Sequence, residues 1–280
     1  MAWRSSGTSN AELVENLWRN KLITQPLVKA AFLKVDRAHY APRPSSAYED
    51  SPQPIGHEAT ISAPHMHANA VETLLPFLLP KVEPGAQSAA GVASVKGRAG
   101  RPRRVLDIGS GSGYLTHVLA ELVGETGVVV GLEHIPALKQ LGERNMAKSP
   151  EGRHLLESGR VRFRVGDGRK GWAEASPTGA QPGVGGPADG NHAVNSETTE
   201  GENKDEAGGW DAIHVGAAAV KLHEELVNQL RSPGRMFIPV EAENGWEQYI
   251  WTVDKDDQGT IRKERLYGVR YVPLTDAPTS

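Results

Sequence analysis

Residues 104–124 read RVLDIGSGSGYLTHVLAELVG, and this stretch decides the fold. Its first five residues form a short apolar run that is typical of a buried strand, and the glycines that follow permit a tight turn. After the turn, apolar side chains recur at helical spacing until Gly124 ends the helix; they are Leu115, Val118, Leu119, Leu122 and Val123. A strand, a glycine turn and a helix in this order predict one unit of a parallel α/β sheet.

The same alternation continues towards the C-terminus. Further strands are predicted at 128–132, 161–165, 211–215 and 236–240, with helical stretches near 136–148 and 220–230. This pattern predicts a doubly wound, mostly parallel sheet. Two later runs, 248–253 and 260–272, are separated by turn residues and predict an antiparallel strand pair at the sheet edge. Before the first strand, a region spanning 1–83 carries three predicted helices.

Composition favours an ordinary globular protein. The chain has 280 residues, 38% of them hydrophobic and 23% charged, with a net charge of −3. We expect one domain over 1–280. Since there is no cysteine, disulfides, thiolate nucleophiles and cysteine-bound zinc are excluded. The sequence shows neither a signal peptide nor an apolar run of about 18 residues, so we expect a soluble cytosolic protein that does not bind membranes.

Two segments depart from this average. Residues 84–104 hold one lysine and four arginines without an acid, whereas residues 176–209 hold six acids and one lysine. Both are rich in Gly, Pro, Ala and Ser and show no helical or strand period, so we interpret them as disordered surface insertions. The basic segment is compatible with a nucleic-acid contact, but a solvated loop is favoured and no nucleic-acid partner is expected.

The glycine turn indicates a ligand with a nucleoside-like part. Its spacing is G-x-G-x-G at Gly109, Gly111 and Gly113, after the acid Asp107. The dinucleotide fingerprint requires its third glycine at position 114, where this chain has Tyr114. The spacing therefore resembles the S-adenosylmethionine loop of class I methyltransferases rather than a dinucleotide loop. An isolated glycine triplet is equally compatible with a tight turn.

Acids at the ends of the next two strands favour the interpretation of the glycine turn as a cofactor loop. Glu133 ends the second strand of the sheet, where a carboxylate can accept hydrogen bonds from both hydroxyls of a ribose. Asp167 and Gly168 follow the third strand, where they suit an adenine amine and a close ring approach. A solvated acid and an ordinary Asp-Gly turn are the alternative interpretations. All three acids are expected at the carboxyl edge of the sheet.

Sequence blocks around the sheet carry a more specific signal. Five of them read DRAHY (36–40), DSPQPIG (50–56), ATISAPHMHA (59–68), DAIHVGAAA (211–219) and YVPLTD (271–276). In this order and at this spacing they closely resemble the protein-L-isoaspartate (D-aspartate) O-methyltransferase family. The resemblance covers nearly the whole chain outside the two insertions.

The resemblance implies an activity and a set of site residues. The expected reaction moves a methyl group from S-adenosyl-L-methionine to the free carboxylate of L-isoaspartyl or D-aspartyl residues in damaged proteins. Ser62 is implied as the catalytic hydroxyl, and the family suggests a monomer. With the turn residues Asp107, Gly109 and Gly111, the implied cofactor-binding set is Ala59, Thr60, Ile61, Ser62, His67, Ser112, Glu133, His134, Asp167, Gly168 and Thr275.

Other interpretations remain open from the residues alone. A class I methyltransferase with another substrate, or a non-catalytic protein that binds S-adenosylmethionine, has the same glycine turn. His65 and His67 lack a third ligand in a metal-site spacing, so no metal is expected. His214 lies in an apolar strand and is interpreted as a hydrogen-bonded core histidine.

Overall fold

A computed structural model describes residues 5–80, 101–173 and 208–275. The helices are α1 (Asn10–Arg19), α2 (Pro26–Lys34), α3 (Pro64–Leu78), α4 (Tyr114–Leu122), α5 (Pro136–Met146), α6 (Pro150–Glu157) and α7 (Glu224–Asn228). The strands are β1 (Gln53–Gly56), β2 (Ala59–Ile61), β3 (Arg104–Ile108), β4 (Val128–Glu133), β5 (Val161–Val165), β6 (Trp210–Val215), β7 (Leu230–Glu241), β8 (Gln248–Lys255) and β9 (Ile261–Val269).

The central sheet has seven strands in the order β5-β4-β3-β6-β7-β8-β9. The pairs from β5 to β7 are parallel, whereas β7–β8 and β8–β9 are antiparallel. This confirms the predicted mostly parallel sheet with an antiparallel pair at its edge. Strand β3 is the middle one of the five parallel strands, and its glycine turn meets the ends of β4 and β6, because an open parallel sheet brings those ends to one edge.

Two apolar cores cover the two faces of the sheet. Alternate residues of β3 divide between them: Val105 belongs to the core beneath α1 to α4, and Leu106 to the core on the opposite face. Strand side chains alternate in direction, so one strand supplies both layers. On the second face, α7, Trp172 and Leu274 pack against the core in the described ranges.

Several element boundaries differ from the sequence prediction. The hairpin of β1 and β2 was missed, as was α6, which begins after Ser149 caps it through the amide of Gly152. The predicted helix at 220–230 is confined to α7, because β7 already begins at Leu230. Strand β9 ends at Val269, so the predicted strand end at residue 272 was wrong.

Most of the two proposed insertions, 84–100 and 176–207, lie outside the described residues. The last residues of the basic segment are packed rather than solvated. Arg103 is buried and donates to the Asp211 carboxylate at 2.9 Å, and Arg104 begins β3. The expectation of a solvated loop is therefore wrong for this end of the segment, because its arginines donate hydrogen bonds to the buried Asp211 on β6.

Candidate functional site

The glycine turn after β3 has the backbone that its sequence requires. Gly109, Gly111 and Gly113 all have positive φ angles, of 74°, 49° and 85°. A Cβ atom at Gly111 would lie 3.2 Å from the side chain of Ile55, which comes from the β1–β2 hairpin. The turn is therefore both left-handed and closely approached, two conditions that favour glycine over other residues.

Glu133 ties this turn to the end of β4. Its carboxylate accepts hydrogen bonds from the backbone amides of Gly111 at 3.0 Å, His134 at 2.8 Å and Ile135 at 3.1 Å. The residue is only 4% exposed. Each carboxylate oxygen accepts two hydrogen bonds, so the group retains acceptor capacity while its position is fixed.

A cavity of about 180 Å³, which we call the main cavity, lies at this edge of the sheet. Its wall combines the glycine turn, the end of β4, the hairpin and the segment 272–275. The residues predicted to bind a cofactor that line it are Ala59, Thr60, Gly109, Gly111, Glu133, His134, Gly168 and Thr275. Sequence reasoning missed Gly216, Ala217, Val272, Pro273 and Leu274, which also line it.

A smaller inner cavity of about 30 Å³ lies deeper, beside the glycine turn. Five further predicted residues line it: Ile61, Ser62, His67, Asp107 and Ser112. Tyr114 and His214 complete part of the wall. The inner cavity is therefore more polar than the core around it, and it contains the predicted catalytic hydroxyl.

A third cavity, the outer cavity, has about 760 Å³ and lies on the other side of Ser62. It is lined by Leu22, Pro52, the start of α3 and residues 267–272. Thr60 and Gly216 line all three cavities, and Ser62 lines the inner and outer ones. The Ser62 hydroxyl has no hydrogen-bond partner within the described ranges. It is thus available to a ligand in either space.

Asp167 is the predicted cofactor residue that the structure does not bring to these cavities. Its two carboxylate oxygens receive the Arg169 guanidinium at 2.9 and 3.0 Å, and its side chain also caps the 3₁₀ turn Gly168–Lys170. The side-chain hydrogen bond to Arg169 lowers the pKa of Asp167. Its role at an adenine amine stays a prediction.

Asp107 and His214 form a buried pair beneath the turn. Asp107 accepts from the His214 ring at 2.7 Å and from the Thr116 hydroxyl at 2.6 Å. The interpretation of His214 as a hydrogen-bonded core histidine is confirmed. The same ring also lines the inner cavity, which the sequence alone did not indicate.

The two neighbouring histidines of α3 have different partners. His65 contacts the buried Asp50 carboxylate through Nδ1 at 2.8 Å, and its backbone amide donates to the same oxygen at 3.0 Å. His67 contacts Arg37, which sequence reasoning did not select although it lies in the DRAHY block. Burial, followed by the charge of Arg37, lowers the pKa of His67 well below its usual value, so its ring is neutral near pH 7.

Segment 272–275 closes one side of the main cavity. Ala218, in the loop after β6, donates its amide to Val272 at 2.8 Å and accepts from the amide of Leu274 at 2.7 Å. The carbonyl of Thr275 lies 2.9 Å from the His134 ring. This segment therefore bridges the loops that follow β6 and β4.

Two classes of site are absent from the part of the chain that the structure describes. Its histidines and acids form no group of three that could hold a metal ion. None of its helices has the length and apolarity needed to cross a membrane.

Comparison with known proteins agrees with the geometry. The model of one family, protein-L-isoaspartate(D-aspartate) O-methyltransferase, matches residues 8–87, 98–181 and 188–279. A Caenorhabditis elegans protein-L-isoaspartate O-methyltransferase is 39% identical over 98% of this chain and 96% of its own. Protein-L-isoaspartate O-methyltransferase 1 of Arabidopsis thaliana is 37% identical over 97% and 93%.

A solved structure is similar as well. It is a crystal structure from Plasmodium falciparum, described as a putative protein-L-isoaspartate O-methyltransferase in complex with S-adenosyl-L-homocysteine. It aligns with a TM-score of 0.70 and 29% identity, over 96% of this chain and 99% of that one.

Proposed function

Because the chain belongs to the protein-L-isoaspartate(D-aspartate) O-methyltransferase family, we propose that it methylates the free carboxylate of L-isoaspartyl and D-aspartyl residues in damaged proteins. S-adenosyl-L-methionine is the methyl donor. One observation carries the proposal: Ser62, with an unpartnered hydroxyl, lines both the inner cavity beside the glycine turn and the large outer cavity, and the main cavity with Glu133 lies at the same edge of the sheet.

The residues of the main cavity fit the donor. Glu133 is a fixed, buried carboxylate whose Oε2 atom keeps one acceptor position for a ribose hydroxyl. At Gly168 an added Cβ would lie 2.4 Å from the Ile108 side chain, so a larger residue would displace this wall. Thr275 and His134 lie at the same cavity. We propose that these groups hold the nucleoside part, while Gly109 and Gly111 let the backbone approach it.

The reaction needs positioning more than acid–base chemistry. The free α-carboxylate of an isoaspartyl residue, or the side-chain carboxylate of a D-aspartyl residue, has an unperturbed pKa of about 4 and is already ionised at pH 7, so no base has to remove a proton. One carboxylate oxygen forms a bond to the methyl carbon, the carbon–sulfur bond breaks, and its electron pair stays on sulfur. The products are a methyl ester and S-adenosylhomocysteine. The ester then collapses to a succinimide without the enzyme, and part of it reopens to normal aspartate.

The chain's own residues supply that positioning. We propose that the Ser62 hydroxyl donates one hydrogen bond to the substrate carboxylate and aligns it for attack. Holding two reacting groups in line at roughly 3–3.5 Å contributes on the order of 7–11 kcal/mol. The buried wall around Ile61 and Tyr114 keeps water from solvating the attacking oxygen.

A paired-peptide assay tests the proposed function. Three synthetic peptides are compared that differ only in an L-isoaspartyl, a D-aspartyl or an L-aspartyl residue, with a labelled methyl donor. We expect methylation of the isoaspartyl peptide, slower methylation of a D-aspartyl peptide, and almost none of the aspartyl peptide. Equal labelling of the isoaspartyl and aspartyl peptides contradicts the substrate, and binding of S-adenosylhomocysteine without any labelling contradicts the activity.

The finer features are proposals of the same kind. We propose that the chain is a single domain, because one sheet carries both cores, and that it acts as a monomer in the cytosol. We propose no nucleic-acid or membrane partner. Size-exclusion chromatography with light scattering, over a concentration range, tests the monomer.

A further inference from the structure

Arg37 is a buried cation that forms no direct ion pair, and the buried Asp50 carboxylate acts on its charge only from beyond contact distance. Its side chain is 0% exposed, and among the described residues no carboxylate lies within ion-pair distance of it. Its Nη2 group donates to the backbone carbonyl of Ser62 at 2.7 Å, and its Nη1 group lies 3.4 Å from Nδ1 of His67. The guanidinium also lies over the Tyr114 ring, 5.2 Å from its centroid.

A charge in this situation is costly for folding. Burying an ion without an opposite charge loses hydration that hydrogen bonds and an aromatic face restore only in part. Burial lowers the pKa of Arg37 to about 10, so the guanidinium is still charged at neutral pH. The Nε group, in addition, has no partner. A buried charge that stability does not explain indicates a functional role.

The contact with His67 fixes the position of a proton. A guanidinium has donors and no acceptor, so Nδ1 of His67 must be the acceptor in this contact. A neutral imidazole has one N–H, which is then on Nε2. His67 therefore offers an Nε2–H donor, and its side chain lines the inner cavity.

The contact of Arg37 with the Ser62 carbonyl holds the backbone that carries the second donor, the Ser62 hydroxyl. The carbonyl of Ser62 is held in the short link between β2 and α3, and its hydroxyl borders the same cavity. The acid in that wall, Asp107, already accepts from His214 and Thr116. Two donors with a cation behind them form a small site for an anion.

We propose that Arg37 is a positioning residue of the methyl-transfer site: it anchors Ser62 and holds His67 in the Nε2–H tautomer, so that the inner cavity receives a carboxylate. This inference rests on the proposed function. The carboxylate has two possible sources, the amino-acid end of S-adenosylmethionine and the substrate itself. Ligands that lack one or the other carboxylate distinguish these two sources.

The first test reads the tautomer directly. In the ¹⁵N spectrum of the imidazole-labelled protein, we expect His67 to carry its proton on Nε2 in the wild type and to lose that preference in Arg37→Met. A wild-type His67 protonated on Nδ1 overturns the proposal. This measurement needs neither substrate nor turnover, so it is informative even if the proposed function fails.

The second test compares ligands that differ by one carboxylate. S-adenosylhomocysteine is paired with its decarboxylated analogue S-adenosyl-3-thiopropylamine, and an isoaspartyl peptide with the isoasparaginyl amide. In Arg37→Met we expect the advantage of the carboxylate form to fall by ~10-fold or more in one pair, with partial rescue in Arg37→Lys. A fall in the first pair assigns the cofactor carboxylate, and a fall in the second the substrate carboxylate.

Arg235→Met is the matched control. Arg235 also donates to a backbone carbonyl, that of Thr73 at 3.0 Å, and lies over an aromatic ring, that of Phe77, but its charge is paired with Asp254. We expect this variant to keep both carboxylate preferences and the His67 tautomer. If Arg37→Met lowers thermal stability as Arg235→Met does and leaves both preferences intact, Arg37 is a structural brace and the proposal is wrong.

Discussion

Two fully buried charged groups, Asp211 and Arg37, lie at opposite ends of the parallel sheet and differ in their partners. Asp211, near the amino end, accepts four hydrogen bonds: from Arg101 at 3.1 Å, Arg103 at 2.9 Å, Arg231 at 2.8 Å and the amide of Arg104 at 2.8 Å. Arg37, near the carboxyl end, contacts a carbonyl, a histidine nitrogen and an aromatic face.

The difference separates two uses of burial. A carboxylate whose acceptors are saturated by arginines holds three strands together and has little capacity for a ligand. A buried cation that forms no direct ion pair, with only the Asp50 carboxylate acting on it from a distance, leaves part of its field available to an incoming group. The two ends therefore make distinct predictions: substitutions at the amino end affect stability, and those at the carboxyl end affect binding or turnover.

The largest effect is expected at the amino end. Asp211→Asn removes the charge that pairs with three guanidinium groups, and the two buried ones, of Arg103 and Arg231, then repel each other. We expect the free energy of unfolding to fall by about 3–5 kcal/mol, as for other buried ion pairs that lose one partner. Urea unfolding followed by circular dichroism measures it.

Asp254→Asn is the control for this prediction. Asp254 also pairs with an arginine, Arg235, at 2.6 Å, but both side chains are partly exposed. A loss below about 1 kcal/mol is expected there. Equal losses in the two variants would show that burial does not distinguish the two acids.

The next effect concerns turnover. Ser62→Ala should lower turnover of an isoaspartyl peptide by ~10²-fold or more, as for the loss of one preorganised donor. Stability should change little, because the hydroxyl makes no hydrogen bond in the described ranges. Steady-state kinetics measures the change in turnover, and thermal melts measure the change in stability. Ser158→Ala, on the surface after α6, serves as the control. Near-normal turnover in Ser62→Ala refutes the role.

A smaller effect is expected for donor binding. Glu133→Gln places an amide among three backbone donors that now bind a carboxylate, so one N–H group must face another. We expect the affinity for S-adenosylhomocysteine, measured by calorimetry, to fall by ~10-fold or more. Glu143→Gln, on α5 and paired with Lys139, should retain wild-type affinity. Unchanged affinity in Glu133→Gln would show that the Glu133 carboxylate does not bind the donor.

The smallest effect is a pH dependence far from the cavities. The pKa of Glu121 is lowered to about 2, first by His117 and then by Lys34, whose ammonium lies 2.9 Å away. A lowered acid pKa adds stability above the unfolded value of 4.5 and loses it as the pH falls towards 2. The gap between wild type and Glu121→Gln should be roughly 1 kcal/mol at pH 6, begin to narrow below pH 4.5 and disappear as the pH falls to about 2. A gap that keeps its pH 6 size down to pH 2 contradicts this assignment.

The sheet was predictable from sequence because its signal is local. A run such as residues 104–124 contains the strand, the turn and the helix in one window, and glycine conformations follow from residue type alone. The pairing of Arg103 and Arg231 with Asp211 was not predictable, because these residues are more than a hundred positions apart or belong to different strands.

The candidate site was predicted only in part for the same reason. Glu133 stands out as a strand-end acid, whereas Arg37 lies in a 3₁₀ turn whose position against α3 depends on tertiary packing. Asp167 and Gly168 were selected together, yet Arg169, two residues away, occupies the carboxylate. Spacing predicts which residues come to the edge of the sheet, but competition among neighbouring partners determines which remain free.

The bridge between Ala218 and residues 272–274 affects how fast a ligand enters and leaves. Two main-chain hydrogen bonds, from Ala218 to Val272 and from Leu274 to Ala218, hold this wall of the main cavity. Amide hydrogen exchange at Ala218 and Leu274 therefore reports how often these bonds open. A bound nucleoside that packs beneath the wall slows exchange at these two amides, and the rate that remains sets an upper limit on dissociation through this route.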